Sequence, residues 1–151
     1  MVSSLVLKLV ISDLSKMKIL VTGAKGFVGR NLCAQLKNIK AGKAKWYKVP
    51  ADDILVYEYD IDCDPAELEV YSKNADFVFN LAGVNRPQDP KEFMEGNFGF
   101  ASTLLDTLKK YENRCPVMIS SSIQAELDNP YGESKRAGEQ LMFDYSSETG
   151  A

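Results

Sequence analysis

Tyr131 and Lys135 stand four residues apart, as Y-x-x-x-K. On a helix that spacing puts both side chains on one face. An ammonium beside a phenol favours the phenolate, and a tyrosine so tuned acts as a general acid or base near neutral pH. Ser122 closes the apolar run that precedes them and offers a hydroxyl to a reacting oxygen. The chain has no histidine, which excludes Ser-His-Asp and Cys-His catalysis and any His-ligated metal. A tyrosine–lysine pair transfers protons without one.

A second group of residues suits phosphate. Lys18–Thr22 reads as a short buried strand, and Gly23-Ala24-Lys25-Gly26-Phe27-Val28-Gly29 follows it directly. This is a G-x-x-G-x-x-G turn in a strand-to-helix context. Gly23 permits a sharp turn. Gly26 lets a pyrophosphate approach the backbone, and Gly29 lets the helix pack closely on the strand. The helix N-terminus, at Phe27 and Val28, adds free N–H groups and a partial positive charge. Val28, Leu32 and Leu36 recur at four-residue spacing, which predicts the face that packs inward.

Next, Ile54–Tyr57 is an apolar run that continues into Glu58-Tyr59-Asp60. An acidic residue at the end of a second strand binds adenosine ribose hydroxyls. Asp60 or Glu58 fits that role, and a carboxylate there repels a 2′-phosphate, which favours NAD over NADP. The distance from Gly23 exceeds the usual ~20 residues. A basic, solvated loop from Lys40 to Lys48, containing Trp46 and Tyr47, accounts for the excess.

The remaining elements must bring these groups together. Pro65–Lys73 reads as a helix and Ala75–Gly83 as a third strand. Leu81, Ala82 and Gly83 at its end let a flat ligand lie close. Asn97 is expected to open a long helix with Phe98, Ala101, Leu104, Leu105, Leu108 and Tyr111 on one face. Pro116–Ile119 is a fourth strand ending in Ser120–Ser122. Pro130 precedes a last helix carrying Ala137, Leu141, Met142 and Tyr145. Alternation of this kind predicts an α/β fold: a Rossmann-like, doubly wound parallel sheet with helices on both faces. The strand carboxyl ends then share one edge, where the glycine turn, Leu81–Gly83 and Ser120–Ser122 converge.

Composition narrows the rest. With 151 residues, 18 basic and 21 acidic, the formal charge is −3. That length suits one domain, and 45% hydrophobic residues suit a folded core. The mild acidity argues against nucleic acid as a partner. No apolar run approaches the ~20 residues of a membrane helix, so no membrane association is expected. Cys33, Cys63 and Cys115 are scattered and odd in number, which points to reduced thiols in a cytoplasmic protein and to no metal site. Residues 1–16, with Lys8 inside the run Leu5–Ile11, read as an extension outside the fold rather than a signal peptide. Alternation of Leu5, Leu7 and Leu9 leaves an added strand as the alternative.

The motifs together resemble a known family. Thr22–Gly29 (T-G-x-x-G-x-x-G), Asn80–Gly83 (N-L-A-G), Ser120–Ser122 (S-S-S) and Pro130–Lys135 (P-Y-G-x-S-K) are similar to the extended short-chain dehydrogenases/reductases. These form the NAD-dependent epimerase/dehydratase family of nucleotide-sugar enzymes. Leu81–Pro87 and Ser120–Ala125 resemble a narrower group, the capsular-polysaccharide reductases of a UDP-linked 4-keto-2-acetamido-2,6-dideoxyhexose.

The resemblance implies an NAD(P)-dependent reduction of a UDP-sugar. Hydride passes to the 4-keto carbon, and Tyr131 protonates the oxygen. Lys135 holds the nicotinamide ribose, Ser122 orients the carbonyl and Asn97 lies near the cofactor. Asn85 and Arg86 are substrate contacts by the same resemblance. It leaves open a 4-epimerase or dehydratase, which use the same Tyr and Lys, and a homodimer through the helices around Asn97–Tyr111 and Tyr131–Tyr145. A non-catalytic dinucleotide-binding role is also open. The Ser122-to-Tyr131 spacing is shorter than in most extended members and suits the narrower group. The family's substrate-binding domain has no counterpart before Ala151, so residues 17–151 are expected to be an incomplete NAD(P)-binding domain that binds NAD(H) but by itself turns over little or no substrate.

Overall fold

The computed structural model describes residues 16–44, 53–85 and 87–151. The expectations for residues 1–15, for Trp46 and Tyr47 of the basic loop, and for Arg86 lie outside the described residues.

Four strands form one parallel sheet in the order β2-β1-β3-β4. They are β1 (Met17–Thr22), β2 (Ile54–Tyr59), β3 (Phe77–Asn80) and β4 (Val117–Ile119). β1 lies between two neighbours, which pair both of its edges, and helices cover both of its faces; Leu20 and Val21 are fully buried. This is why it reads as an unbroken apolar run. From β1 the chain moves one way to β2, then crosses back over β1 to β3. The order reversal leaves a crevice at the carboxyl ends of β1 and β3.

Helices cover both faces of the sheet. α1 (Phe27–Lys40) packs on one face through Cys33, Leu36 and Ile39 against Ile19, Val21 and Ile54. α2 (Pro65–Asn74) and the helices after β3 and β4 pack on the other. There Leu68, Leu104, Leu105, Leu108 and Tyr145 meet Leu20, Tyr59 and Val78. α2 starts sharply because Asp64 and Glu67 form a capping box around Pro65. Tyr71 on α2 stacks on Tyr57 of β2 at 4.5 Å between ring centres.

Three local features differ from expectation. The inward face of α1 is Gly29, Cys33, Leu36 and Ile39, while Val28 is 59% exposed. Leu36 and, in part, Leu32 do pack inward as expected, but at the first turn the residue that faces the Gly23 carbonyl is Gly29, which leaves Val28 outside. β3 pairs only over Phe77–Asn80, and Leu81–Gly83 leaves the sheet as extended chain. Asn97 does not open a helix. It lies inside one long helix, α3, which begins with Lys91–Phe93, winds as a π-helix over Met94–Gly99 and returns to α-helix over Phe100–Lys110. After β4, a 3-10 turn at Ile123–Glu126 leads to α4 (Pro130–Thr149).

Candidate active site

The glycine turn closes tightly between β1 and α1. Gly23 has φ +67, and a Cβ there would sit 2.7 Å from the Ala82 nitrogen. A Cβ on Gly29 would sit 2.1 Å from the Gly23 oxygen, and one on Gly26 would sit 3.2 Å from it. No side chain caps α1, and its first turn contains no acidic residue. Its opening N–H groups are therefore left for an anion from outside the helix. Phe27 is 80% exposed, so its main chain, not its ring, faces the turn. Side-chain-free backbone, unpaired amides and a positive helix end together fit a pyrophosphate.

A cavity of about 370 Å³ runs from Gly23 and Gly26 past Asp60 and Ile61 to Leu81, Ala82 and Gly83. Asp60 accepts the main-chain N–H of Lys25 at 2.7 Å and that of Ile61 at 2.8 Å. Glu58 instead pairs with Lys37 of α1. Of the two carboxylates, Asp60 is the one that lines the cavity. A shallower hollow of about 590 Å³ around Pro65, Val70 and Tyr111 contains none of the candidate catalytic, cofactor or substrate residues.

The carboxyl ends of β1 and β3 are joined by Thr22, whose hydroxyl donates to Asn80 Oδ1 at 2.6 Å. Both side chains are buried. Beyond Asn80 the extended chain reaches Gly83, and there the second half of the site begins. A Cβ on Gly83 would sit 2.6 Å from Asn97 Oδ1 and 3.5 Å from Lys135 Nζ. The missing side chain leaves room for the lysine and the asparagine together.

Pro130 opens α4, and the Asn129 side chain accepts the Gly132 N–H at 2.8 Å. This fixes the turn that carries Tyr131 and Lys135. Lys135 Nζ lies 5.7 Å from the centre of the Tyr131 ring. It donates to the Ser120 carbonyl at 3.3 Å and is only 7% exposed. Burial holds its ammonium below the ordinary lysine value. The Tyr131 ring meets Phe93 edge-on at 5.3 Å. Ser122 caps the 3-10 turn, accepting the Gln124 N–H at 3.2 Å. Ser121 next to it donates to Glu139, one turn after Lys135. α4 thus grips the serine loop at two points. Asn85 is exposed on the loop after β3.

The structure brings Tyr131, Lys135, Asn97 and Gly83 together, and separately groups the glycine turn with Asp60 and Leu81–Gly83. The Asn97 side chain is committed to protein partners: it accepts the Val84 N–H at 3.0 Å and donates to the Val84 carbonyl at 3.2 Å and to Ser134 Oγ at 3.0 Å. Ser134 received no role from sequence. Its place between Tyr131 and Lys135 was the available signal.

Known proteins resemble this chain in sequence and fold. Over 126 residues the chain is 43% identical to a UDP-2-acetamido-2,6-beta-L-arabino-hexul-4-ose reductase of Pseudomonas aeruginosa, covering 83% of this chain and 31% of that one. It is 43% identical to the crystal structure of the capsular polysaccharide assembling protein CapF from Staphylococcus aureus, with a TM-score of 0.67 over 87% of this chain and 32% of that one. A UDP-glucuronic acid 4-epimerase from Bacillus cereus, solved with NAD, shares the fold at 22% identity and a TM-score of 0.65, over 89% of this chain and 54% of that one. The chain spans about a third of the length of the first two. Residues 19–151 match the model of the NAD dependent epimerase/dehydratase family, and the chain belongs to that family.

Proposed function

We propose that this chain is the dinucleotide-binding part of a nucleotide-sugar reductase of capsule or surface polysaccharide synthesis. Its substrate would be a UDP-linked 4-keto-6-deoxy amino sugar. The observation that carries this reading is the desolvated Lys135 ammonium beside the Tyr131 ring and next to Gly83. The 43% identity with a named hexul-4-ose reductase supports reduction over epimerisation or dehydration.

The same proposal assigns a role to each site residue. The glycine turn and the α1 N-terminus hold the pyrophosphate. Asp60 accepts ribose hydroxyls and favours NAD over NADP, since its carboxylate repels a 2′-phosphate. A bound reduced nicotinamide supplies hydride to the keto carbon. Tyr131 gives its phenolic proton to the carbonyl oxygen, and Ser122 hydrogen-bonds that oxygen. Lys135 steadies the phenolate left behind and donates to the nicotinamide ribose. Asn85 and Arg86 contact the sugar nucleotide. The protein works in the cytoplasm, and residues 17–151 supply the NAD(P)-binding part while a further domain supplies most substrate contacts.

Two measurements test this. Fluorescence titration with NADH and NADPH should show saturable binding with NADH the tighter; no binding of either to folded protein defeats the cofactor assignment. This chain alone should bind NADH but consume little or none of it with the UDP-4-ketosugar, whereas the longer protein that includes the further domain should consume NADH and Tyr131→Phe should abolish that consumption. Binding without consumption by the longer protein would favour a non-catalytic module.

A further inference from the structure

Ser134 lies between the two proposed catalytic side chains and is fully buried. Its hydroxyl accepts from Asn97 Nδ2 at 3.0 Å and donates to the Tyr131 carbonyl at 2.8 Å. Asn97 in turn holds both main-chain groups of Val84. One continuous run of hydrogen bonds therefore links the loop after β3, the π-helical stretch of α3 and the first turn of α4. Every bond in it is internal to the protein.

A serine hydroxyl that bonds a carbonyl one turn back competes with the regular helix bond and bends the helix locally. Here the carbonyl so bonded belongs to Tyr131, in the turn that presents Tyr131 and Lys135. The anchor at the other end is the loop that carries Gly83, against which Lys135 Nζ rests. The run spans the crevice wall and fixes the separation of the two halves of the site.

We propose that Ser134 is a positioning residue, which acts through Asn97 to hold the Tyr131–Lys135 turn at its working distance from the Leu81–Asn85 loop. The proposal rests on the reductase reading for its kinetic consequence, but its effect on cofactor binding is separate. Displacement of reacting groups by about 1 Å costs up to about a hundredfold in rate. Loss of this anchor should therefore lower kcat by about tenfold to a hundredfold and leave KM for the ketosugar nearly unchanged.

The test compares wild type with Ser134→Ala, both in the longer protein that includes the further substrate-binding domain. Expected results are the kcat loss without a KM change, together with weaker NADH binding and an altered emission spectrum of bound NADH. A purely structural serine would lower the melting temperature and move neither kcat nor the spectrum. Asn97→Ala and the double variant complete a cycle: the double variant should be no slower than Asn97→Ala alone. Unchanged kcat and spectrum, or losses that simply add, overturn the proposal while leaving the reductase reading intact. If wild type turns over no ketosugar, the reductase reading fails, and the NADH affinities and spectra of the same four proteins decide the role of Ser134. Should Ser134→Ala not fold, Ser134→Cys, similar in size and weaker in bonding, takes its place.

Discussion

The Asp60 carboxylate accepts the main-chain N–H of Lys25 at 2.7 Å, joining the end of β2 to the glycine turn. A bond to a charged acceptor is among the stronger kinds. One side chain thus shapes the glycine turn, and in the proposed function it would also face the adenosine ribose. Asp60→Asn keeps an oxygen for the Lys25 N–H and removes the charge. It should shift the preference from NADH toward NADPH by about tenfold, consistent with ~1–2 kcal/mol for a charged hydrogen bond. Competitive titration of the two cofactors reads this ratio; an unchanged ratio removes Asp60 from cofactor selection.

Gly23 and Gly42 both have left-handed backbones, at φ +67 and +68. Alanine at Gly42 meets nothing within 4 Å, so only the backbone penalty of ~1–2 kcal/mol applies. Alanine at Gly23 adds a Cβ at 2.7 Å from main chain, which costs a further ~1–3 kcal/mol as overpacking does. Gly29→Ala, at 2.1 Å from a carbonyl oxygen, should also exceed Gly42→Ala. Urea unfolding of the three variants gives the order, and equal losses for Gly23→Ala and Gly42→Ala would contradict it.

Burial lowers Lys135 below its ordinary value of 10.5. The native chain therefore releases this proton before the unfolded chain does. Between the two values the unfolded state holds more protons, so stability rises with pH. Below the native value the full cost of the buried charge is present. Lys135→Met carries no such charge. Wild type should thus gain stability relative to Lys135→Met as pH rises toward 10.5. Chemical unfolding of both proteins at stepped alkaline pH checks the slope, and parallel curves would show that the ammonium is not desolvated.

Thiol chemistry offers an independent check on packing. Cys33 and Cys115 are 3% and 7% exposed. Burial raises both thiols, Cys115 to about 11. Cys63 is only half-buried. At pH 8 a thiol reagent should modify Cys63 quickly and the other two only on unfolding. Peptide mapping by mass after a short exposure identifies the site; early labelling of Cys115 would mean that the core around Tyr145 opens readily.

The sheet and its helices were legible because each strand is a short apolar run and each turn is marked by glycine, proline or serine. The convergence of the glycine turn with Leu81–Gly83 followed from parallel topology alone, whereas Ser120–Ser122 do not line the cavity they share and sit against Lys135 and Glu139 of α4. The inward residue at the first turn of α1 was not legible, because an apolar count cannot see that Gly29 must meet the Gly23 carbonyl. Apolar spacing pointed to Val28, and backbone contact overruled it. The choice between Glu58 and Asp60 also needed coordinates: Glu58, inside β2, pairs with Lys37 of α1, while Asp60 lies just past the strand's last residue, Tyr59, where the chain turns to the crevice. The true start of α3 was hidden because Lys91–Gly99 has no regular apolar stripe. Its winding changes part-way, and Gly96 lies so close to Val84 that a Cβ would sit 2.3 Å from Cγ2.

That change of winding has a rotational consequence. Each residue of an α-helix advances about 100° around the axis, and a π-helical stretch inserts extra residues into a turn. In α3 it puts the segment before Phe100 out of phase with the segment after it. Ala101, Leu104, Leu105 and Leu108 can then aim at the sheet while Asn97 aims at Ser134 and Val84. Deleting one residue between Met94 and Gly99 would bring the two segments back toward a common phase and swing Asn97 by about 100°. Length in this short stretch acts as an angular setting, and a single-residue gap there would alter the site more than most substitutions on its surface.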